Sequence, residues 1–139
     1  MSSACAIATF VPTPSVLTQA AQLGAVAFDI PGAPISHDGE LCSFDTLLRA
    51  FDLQHDPALA ALARTVRAAD TDHLELAPPA AGLLAVSLGL SALHATDDLA
   101  MLEAAMPMYD ALFAWCRQAV AGQTGHHRWA PDSLKAPQP

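Results

Sequence analysis

Between Ser36 and Asp45 the chain reads Ser-His-Asp-Gly-Glu-Leu-Cys-Ser-Phe-Asp, which puts an imidazole, a carboxylate and a thiol within a few residues of one another. Asp38-Gly39 predicts a tight turn, with His37 and Glu40 at its two ends and their α-carbons under about 7 Å apart. If the chain beyond the turn is extended, Glu40 and Cys42 point to the same side. His37, Glu40 and Cys42 would then converge, and all three are competent ligands for a borderline ion such as zinc or iron. The same trio could act in redox or nucleophilic chemistry, with His37 as base and Cys42 as nucleophile. Cys42 also precedes an expected helix, whose N-terminal dipole favours a thiolate. A plainer reading stands beside these: His37 hydrogen-bonds within a turn, Glu40 is solvated, and Cys42 is a small buried hydrophobe.

A second cluster runs Arg67-Ala68-Ala69-Asp70-Thr71-Asp72-His73. Leu59, Leu62 and Val66 recur at the spacing of one helical face, and one further turn reaches Asp70. A carboxylate there lies near the core edge and demands a partner, because an unpaired buried charge is costly. The partner could be an arginine, a helix N-terminus or a metal; alternatively Asp70 caps the next turn. His73 reads as a surface residue. Tyr109 and Asp110 follow Pro107, which should kink a helix and so border a pocket. Tyr109 can equally be a core residue with its hydroxyl satisfied. Met106 and Trp115 read as packing, and His55 and His94 sit at helix boundaries.

These groups must be positioned by helices. Ala (30 residues) and Leu (19) far outnumber Val (6) and Ile (3), which favours helix over strand. Two short apolar runs, Ala8 to Val11 and Ala25 to Ile30, have strand character and predict a small two-stranded β element near the N-terminus. Between them Thr13 can cap a helix that Pro14 opens and Gly24 ends. Ser43 is the expected cap of a helix from Phe44 to about Leu53, with Phe44, Leu47, Leu48 and Phe51 on one face. Asp56-Pro57 starts the next helix. Pro78-Pro79 opens an apolar one that reaches about His94, and being apolar on nearly every side it is expected to be central. Thr96 caps the last, with Asp97 and Asp98 in its first turn and Leu99, Leu102, Met106, Tyr109, Phe113 and Cys116 along one face. The fold class is mainly α, a bundle of about five helices. Residues 1–121 form one domain and 122–139 a flexible tail.

Composition narrows the functions. The chain has 139 residues, 53% of them hydrophobic, and a net charge of −8, so it suits one globular domain rather than disorder. Six basic against fourteen acidic residues leave no stripe that could displace phosphate counterions, so no direct nucleic-acid partner is expected. Free oxyanions are repelled at long range. The uncharged stretch Leu76 to Thr96 opens on two prolines and falls short of a membrane span. The N-terminus lacks the basic residues of a secretory signal. Three widely spaced cysteines, Cys5, Cys42 and Cys116, form neither a disulfide framework nor a zinc knuckle, so reduced thiols in a cytoplasm are the expectation. Ala-rich helix surface could pair between two copies as a homodimer.

The runs "FDIPGAPISHDGELCSFDTLL", "VRAADTDHLELAPPAAGLLAVSLGL" and "MLEAAMPMYDALFAWCR" together resemble the C-terminal domain of the chromate resistance protein ChrB family. The resemblance spans roughly Phe10 to Arg117. It implies a bacterial, stress-response protein linked to chromate resistance, in a family whose better-known members are chromate-sensitive regulators of an efflux operon. It also implies a regulatory or rhodanese-like partner. The family pattern carries over onto Ser36, His37, Gly39, Glu40, Cys42, Phe44 and Asp45, then Arg67, Asp70 and Thr71, then Tyr109, Asp110, Trp115 and Cys116. On that basis Asp45, Arg67, Asp70, Tyr109 and Asp110 are expected to line the pocket or support His37, Glu40 and Cys42. Two departures stand out. The Cys-Pro-Trp segment that usually precedes the first strand is missing, and Asp97-Asp98-Leu99 stands where members tend to carry a histidine. A metal- or chromate-responsive sensor or accessory domain is the first functional reading; a small metal- or thiol-dependent detoxification enzyme is the alternative.

Overall fold

The computed structural model describes residues 13–124. Five α-helices follow one another: α1 (Val16–Leu23), α2 (Ser43–Ala50), α3 (Pro57–Asp70), α4 (Ala80–Leu93) and α5 (Asp98–Thr124). Short 3-10 turns over Thr13–Ser15 and Leu74–Leu76 precede α1 and α4.

The helix ends follow local chemistry. Gly24 closes α1 in the left-handed region at φ 62°, with its N–H on the Ala20 carbonyl, a conformation that costs glycine nothing. Asp56 caps α3 by accepting the N–H groups of Ala58 (2.8 Å) and Leu59 (2.9 Å), with Pro57 in the first helical position. At α2 the cap moves one residue from Ser43 to Cys42. Cys42 is extended, at φ −81° and ψ 169°, and its N–H donates to Asp45 Oδ2 at 3.1 Å. Asp45 stands in the third helical position, where a carboxylate can reach back to the cap. Ser43 is thereby freed to donate its hydroxyl to Asp29. At α5 the cap is likewise Asp97, whose Oδ1 accepts the Ala100 N–H at 2.9 Å.

The expected two-stranded element is not found. Ala8 to Val11 lies outside the described residues, and Ala25 to Ile30 forms no strand; Phe28 makes only an isolated bridge to Ile35. Asp29 at φ 58° and Gly32 at φ 85° break the run before a ladder can extend. The last helix continues to Thr124, past the expected boundary at 121.

The centre of the bundle is α3, which packs against α2, α4 and α5. Ala68 of α3 and Ala80 of α4, both wholly inaccessible, form one buried cluster with Ala77, and Leu74 and Ala69 pack against it. Side chains of one carbon let the two helix backbones approach closely. The expectation that α4 is central does not hold: only Ala80 and Leu83 of α4 are buried, whereas Val86, Leu88 and Leu93 are 50%, 62% and 79% exposed. Uniform apolarity cannot say which side of a helix meets the core. Phe51, Met106 and Trp115 are also largely exposed. No described helix is long and apolar enough to cross a membrane.

Candidate functional site

Three segments bring polar groups to one place: the loop carrying Asp29 and His37, the start of α2, and the end of α3. The turn that controls the first is displaced by one residue from expectation. Asp38 and Leu41 pair with each other, N–H to carbonyl in both directions at 3.1 and 3.0 Å, so Gly39 and Glu40 are the two residues between them. Gly39 takes φ 60° at the first of these positions, as a two-residue hairpin turn with a leading glycine requires. A shift of one residue reverses the side on which each residue lies. Glu40 therefore sits exposed in the turn and makes no ion pair among the described residues, while Cys42 is buried at 1% exposure. The structure does not bring His37, Glu40 and Cys42 together.

His37 meets two other acids instead. Its Nε2 is 3.1 Å from Asp70 Oδ2 and 3.6 Å from Asp29 Oδ1. Asp70 is thus half-exposed at the pocket edge, and its partner is a histidine. Asp29 is tied down further by the Ser43 hydroxyl. Ser36 fastens the loop to α2, because its carbonyl accepts the Thr46 hydroxyl at 2.8 Å.

Behind this cluster opens a cavity of about 390 Å³ lined by Phe28, Asp29, Cys42, Ser43, Phe44, Leu62, Val66, Asp70 and Tyr109. Apolar walls with a few convergent polar groups are the usual make-up of a small-ligand site. Tyr109 also borders two further cavities, one of about 200 Å³ between α3, α4 and α5 and one of about 260 Å³ between α4 and α5. Burial pushes the Tyr109 hydroxyl above its ordinary value, a bond with Ser87 opposes this, and the charges of Asp70 and Cys42 add to it. Tyr109 is therefore a neutral donor near pH 7.

Cys42 forms part of the cap rather than an open thiolate. Its Sγ lies 3.3 Å from Asp45 Oδ2. Burial above all pushes its thiol up from 9.0, the Asp45 carboxylate pushes the same way, and the backbone N–H groups of Asp45 and Phe44 pull against both. Desolvation and a neighbouring carboxylate outweigh the two backbone N–H groups, so the thiolate expected from sequence is not favoured. Asp45 completes a small network by meeting Arg67 Nη1 at 3.5 Å, their side chains 13% and 26% exposed. Asp45 and Arg67 thus brace the wall beneath the cavity. Asp110 is exposed on α5 and does not line that cavity. His73 pairs at the surface with Glu75 at 3.2 Å.

Asp29 and Ser43 are the site residues that spacing alone did not single out. Asp29 carries a signal nonetheless: it is the first charged residue of the chain and stands inside an apolar run. Among the described residues no three His, Cys, Asp or Glu side chains are already drawn together as a ready ligand set for a metal. The His37 cluster holds its members at ion-pair separations of 3.1 and 3.6 Å.

A family model described as "ChrB, C-terminal domain" matches residues 3–116. No curated protein and no solved structure matches the chain.

Proposed function

Because the chain belongs to the ChrB C-terminal domain family, we propose that it serves chromate resistance as a metal-responsive sensor domain. The ion is taken between His37, Asp70 and Asp29. The observation that carries this reading is the place of His37 Nε2, 3.1 and 3.6 Å from two carboxylates at the mouth of the cavity. Ligands about 2.1 Å from a tetrahedral zinc stand roughly 3.4 Å from one another. The two His37 separations bracket that spacing, and binding on this reading requires the three side chains, which are not a ligand set as they stand, to close on the ion. Nitrogen and oxygen donors suit zinc or ferrous iron.

Charge supports a cation over chromate itself. Two carboxylates at the mouth would face an oxyanion, and the whole chain carries −8, which disfavours an anion there. A thiol-based enzyme is less well supported, since Cys42 is buried and bonded to Asp45. On this reading Glu40 and Cys42 are not ligands; Cys42 and Asp45 hold α2 in place, and Tyr109 presents a neutral hydroxyl to the cavity.

Titration calorimetry with zinc, ferrous iron and chromate tests this. One equivalent of metal should bind, with affinity reduced at least about tenfold in His37→Ala and in Asp70→Asn, and unchanged in Glu40→Ala and Cys42→Ser. Wild-type protein that takes no metal, or metal binding that survives both His37→Ala and Asp70→Asn, refutes the reading. Chromate binding that persists in those two variants refutes it as well.

A further inference from the structure

The cavity behind the His37 cluster carries charge of one sign only. Asp29 and Asp70 stand in its wall, and among the described residues no lysine, arginine or histidine does. Phe28, Phe44, Leu62 and Val66 supply its apolar face, and at about 390 Å³ it lies at the small end of cavities that hold organic ligands. Few of its polar groups are free to meet a ligand. The Ser43 hydroxyl is spent on Asp29, and Cys42 Sγ is turned to Asp45 Oδ2 at 3.3 Å. Asp29 receives Ser43 and His37 through Oδ1, and Asp70 receives His37 through Oδ2. Among the described residues this leaves Asp29 Oδ2, Asp70 Oδ1 and the Tyr109 hydroxyl to a ligand.

Asp29 is also fixed in place by its own chain. Its backbone is held left-handed at φ 58°, its N–H donates to the Ile35 carbonyl at 2.9 Å, and its carboxylate accepts the Ser43 hydroxyl. A left-handed residue other than glycine is uncommon. Restraint at backbone and side chain together pre-organises the carboxylate and lowers the ordering cost of binding. Phe28 directly precedes it and is 48% exposed. An aromatic ring in that position offers an apolar face to a ligand's body and a negative face to its cation.

We infer that this cavity binds a small organic cation, a protonated primary amine on an apolar body about the size of one aromatic ring. Its nitrogen lies between Asp29 and Asp70, and its body lies against Phe28, Phe44, Leu62 and Val66. Charge selects this class of ligand. An ammonium group brings N–H donors and positive charge to two carboxylates, the pairing that gives short, strong hydrogen bonds. A ligand ending in a carboxylate meets two like charges and a single hydroxyl, and a neutral one leaves the carboxylates desolvated without a counter-charge. His37 is not part of the cavity wall, so it holds the two acids from outside while the amine holds them from within. The inference goes beyond the metal reading and does not rest on it, although an ammonium and a metal ion would compete for the same two carboxylates.

Titration calorimetry of the full chain, freed of metal by a chelator, tests the inference with 2-phenylethylamine as the probe. One equivalent should bind with Kd on the order of 0.1–1 mM, the range open to so small a ligand. The neutral 2-phenylethanol and the anionic 3-phenylpropanoate should bind at least about tenfold more weakly. Asp70→Asn should weaken the amine about tenfold. Val66→Phe, which fills the cavity and leaves its charges alone, should abolish binding while helical circular dichroism is kept. Glu40→Ala removes an exposed acid outside the cavity and should bind as the wild type does. No binding of the amine up to about 10 mM, equal binding of the alcohol, or an affinity unchanged in both Asp70→Asn and Val66→Phe overturns the inference. A separate zinc titration keeps the two readings apart. A chain that binds the amine and no zinc refutes the metal reading alone, and one that binds zinc and no amine refutes this inference alone.

Discussion

Replacing Asp45 tests the account of the cavity wall most directly. Its carboxylate accepts the Cys42 N–H at 3.1 Å, lies 3.3 Å from Cys42 Sγ, and meets Arg67 Nη1 at 3.5 Å. Asp45→Ala removes all three contacts. Loss of the reciprocal cap contact at the start of α2 costs about 1 kcal/mol. Arg67 is left without its anion while only 26% exposed. Removing one partner of a fully buried pair costs about 3–5 kcal/mol, and an exposed pair is worth under about 1. A pair as enclosed as this one falls between those limits, at about 1–2 kcal/mol. The sum is about 2–3 kcal/mol. Asp45→Asn keeps an oxygen for the Cys42 N–H and forfeits only the charge, so it should lose about half as much. The Asn variant also removes the anion beside Cys42, one of the causes that hold its thiol up, so alkylation of Cys42 should accelerate at a given pH. Urea unfolding measures the stabilities, and the pH dependence of iodoacetamide labelling measures the thiol. A loss in Asp45→Ala below about 0.5 kcal/mol, within the range of ordinary surface changes, would refute the reasoning. So would unchanged Cys42 labelling in Asp45→Asn.

Two further expectations concern packing and pH. Ala68 is wholly buried where α3 meets α4, so Ala68→Leu should force the helices apart and cost about 1–3 kcal/mol in urea unfolding, whereas the exposed Ala60→Leu should be near neutral. Burial holds Cys42 and Cys116 above an ordinary 9.0 and Tyr109 above 10.0. The folded chain therefore keeps protons that the unfolded chain releases. That contribution to stability is fully present below about pH 9 and is lost as pH rises through the raised values. Urea midpoints measured from pH 7 to 11 should fall at the alkaline end from these groups. The alkaline fall should be smaller in Cys42→Ser; a fall of the same size would remove Cys42 from the account.

Local signals were strong wherever one or two residues suffice to end a helix. Asp56-Pro57 and Gly24 close or open α3 and α1 where their chemistry says they must, because cap and φ preferences act within a few residues. Signals failed where two local solutions compete. Ser43 is a better cap by type than Cys42, yet Asp45 three residues on satisfies the Cys42 N–H, and Ser43 is then drawn to Asp29 across the fold. The turn after His37 fails for a related reason. Asp38-Gly39 can occupy either of two registers, and Gly39 at φ 60° selects the one that leaves Glu40 outside.

By itself the sequence determined the class, the helices and the family: Ala and Leu in excess, caps in order, and a pattern over residues 3–116 that belongs to the ChrB C-terminal domain. It also brought His37, Asp70 and Tyr109 forward as residues of interest. Tertiary structure alone decided which acids His37 meets and which helix is central. Asp29 and His37 come from the loop between α1 and α2, and Asp70 from the far end of α3, and no short-range periodicity encodes their meeting. The position of α4 was undecidable for the opposite reason. A helix apolar all round satisfies the core with any face, and the small side chains of Ala68 and Ala80 decided which face it turned inward.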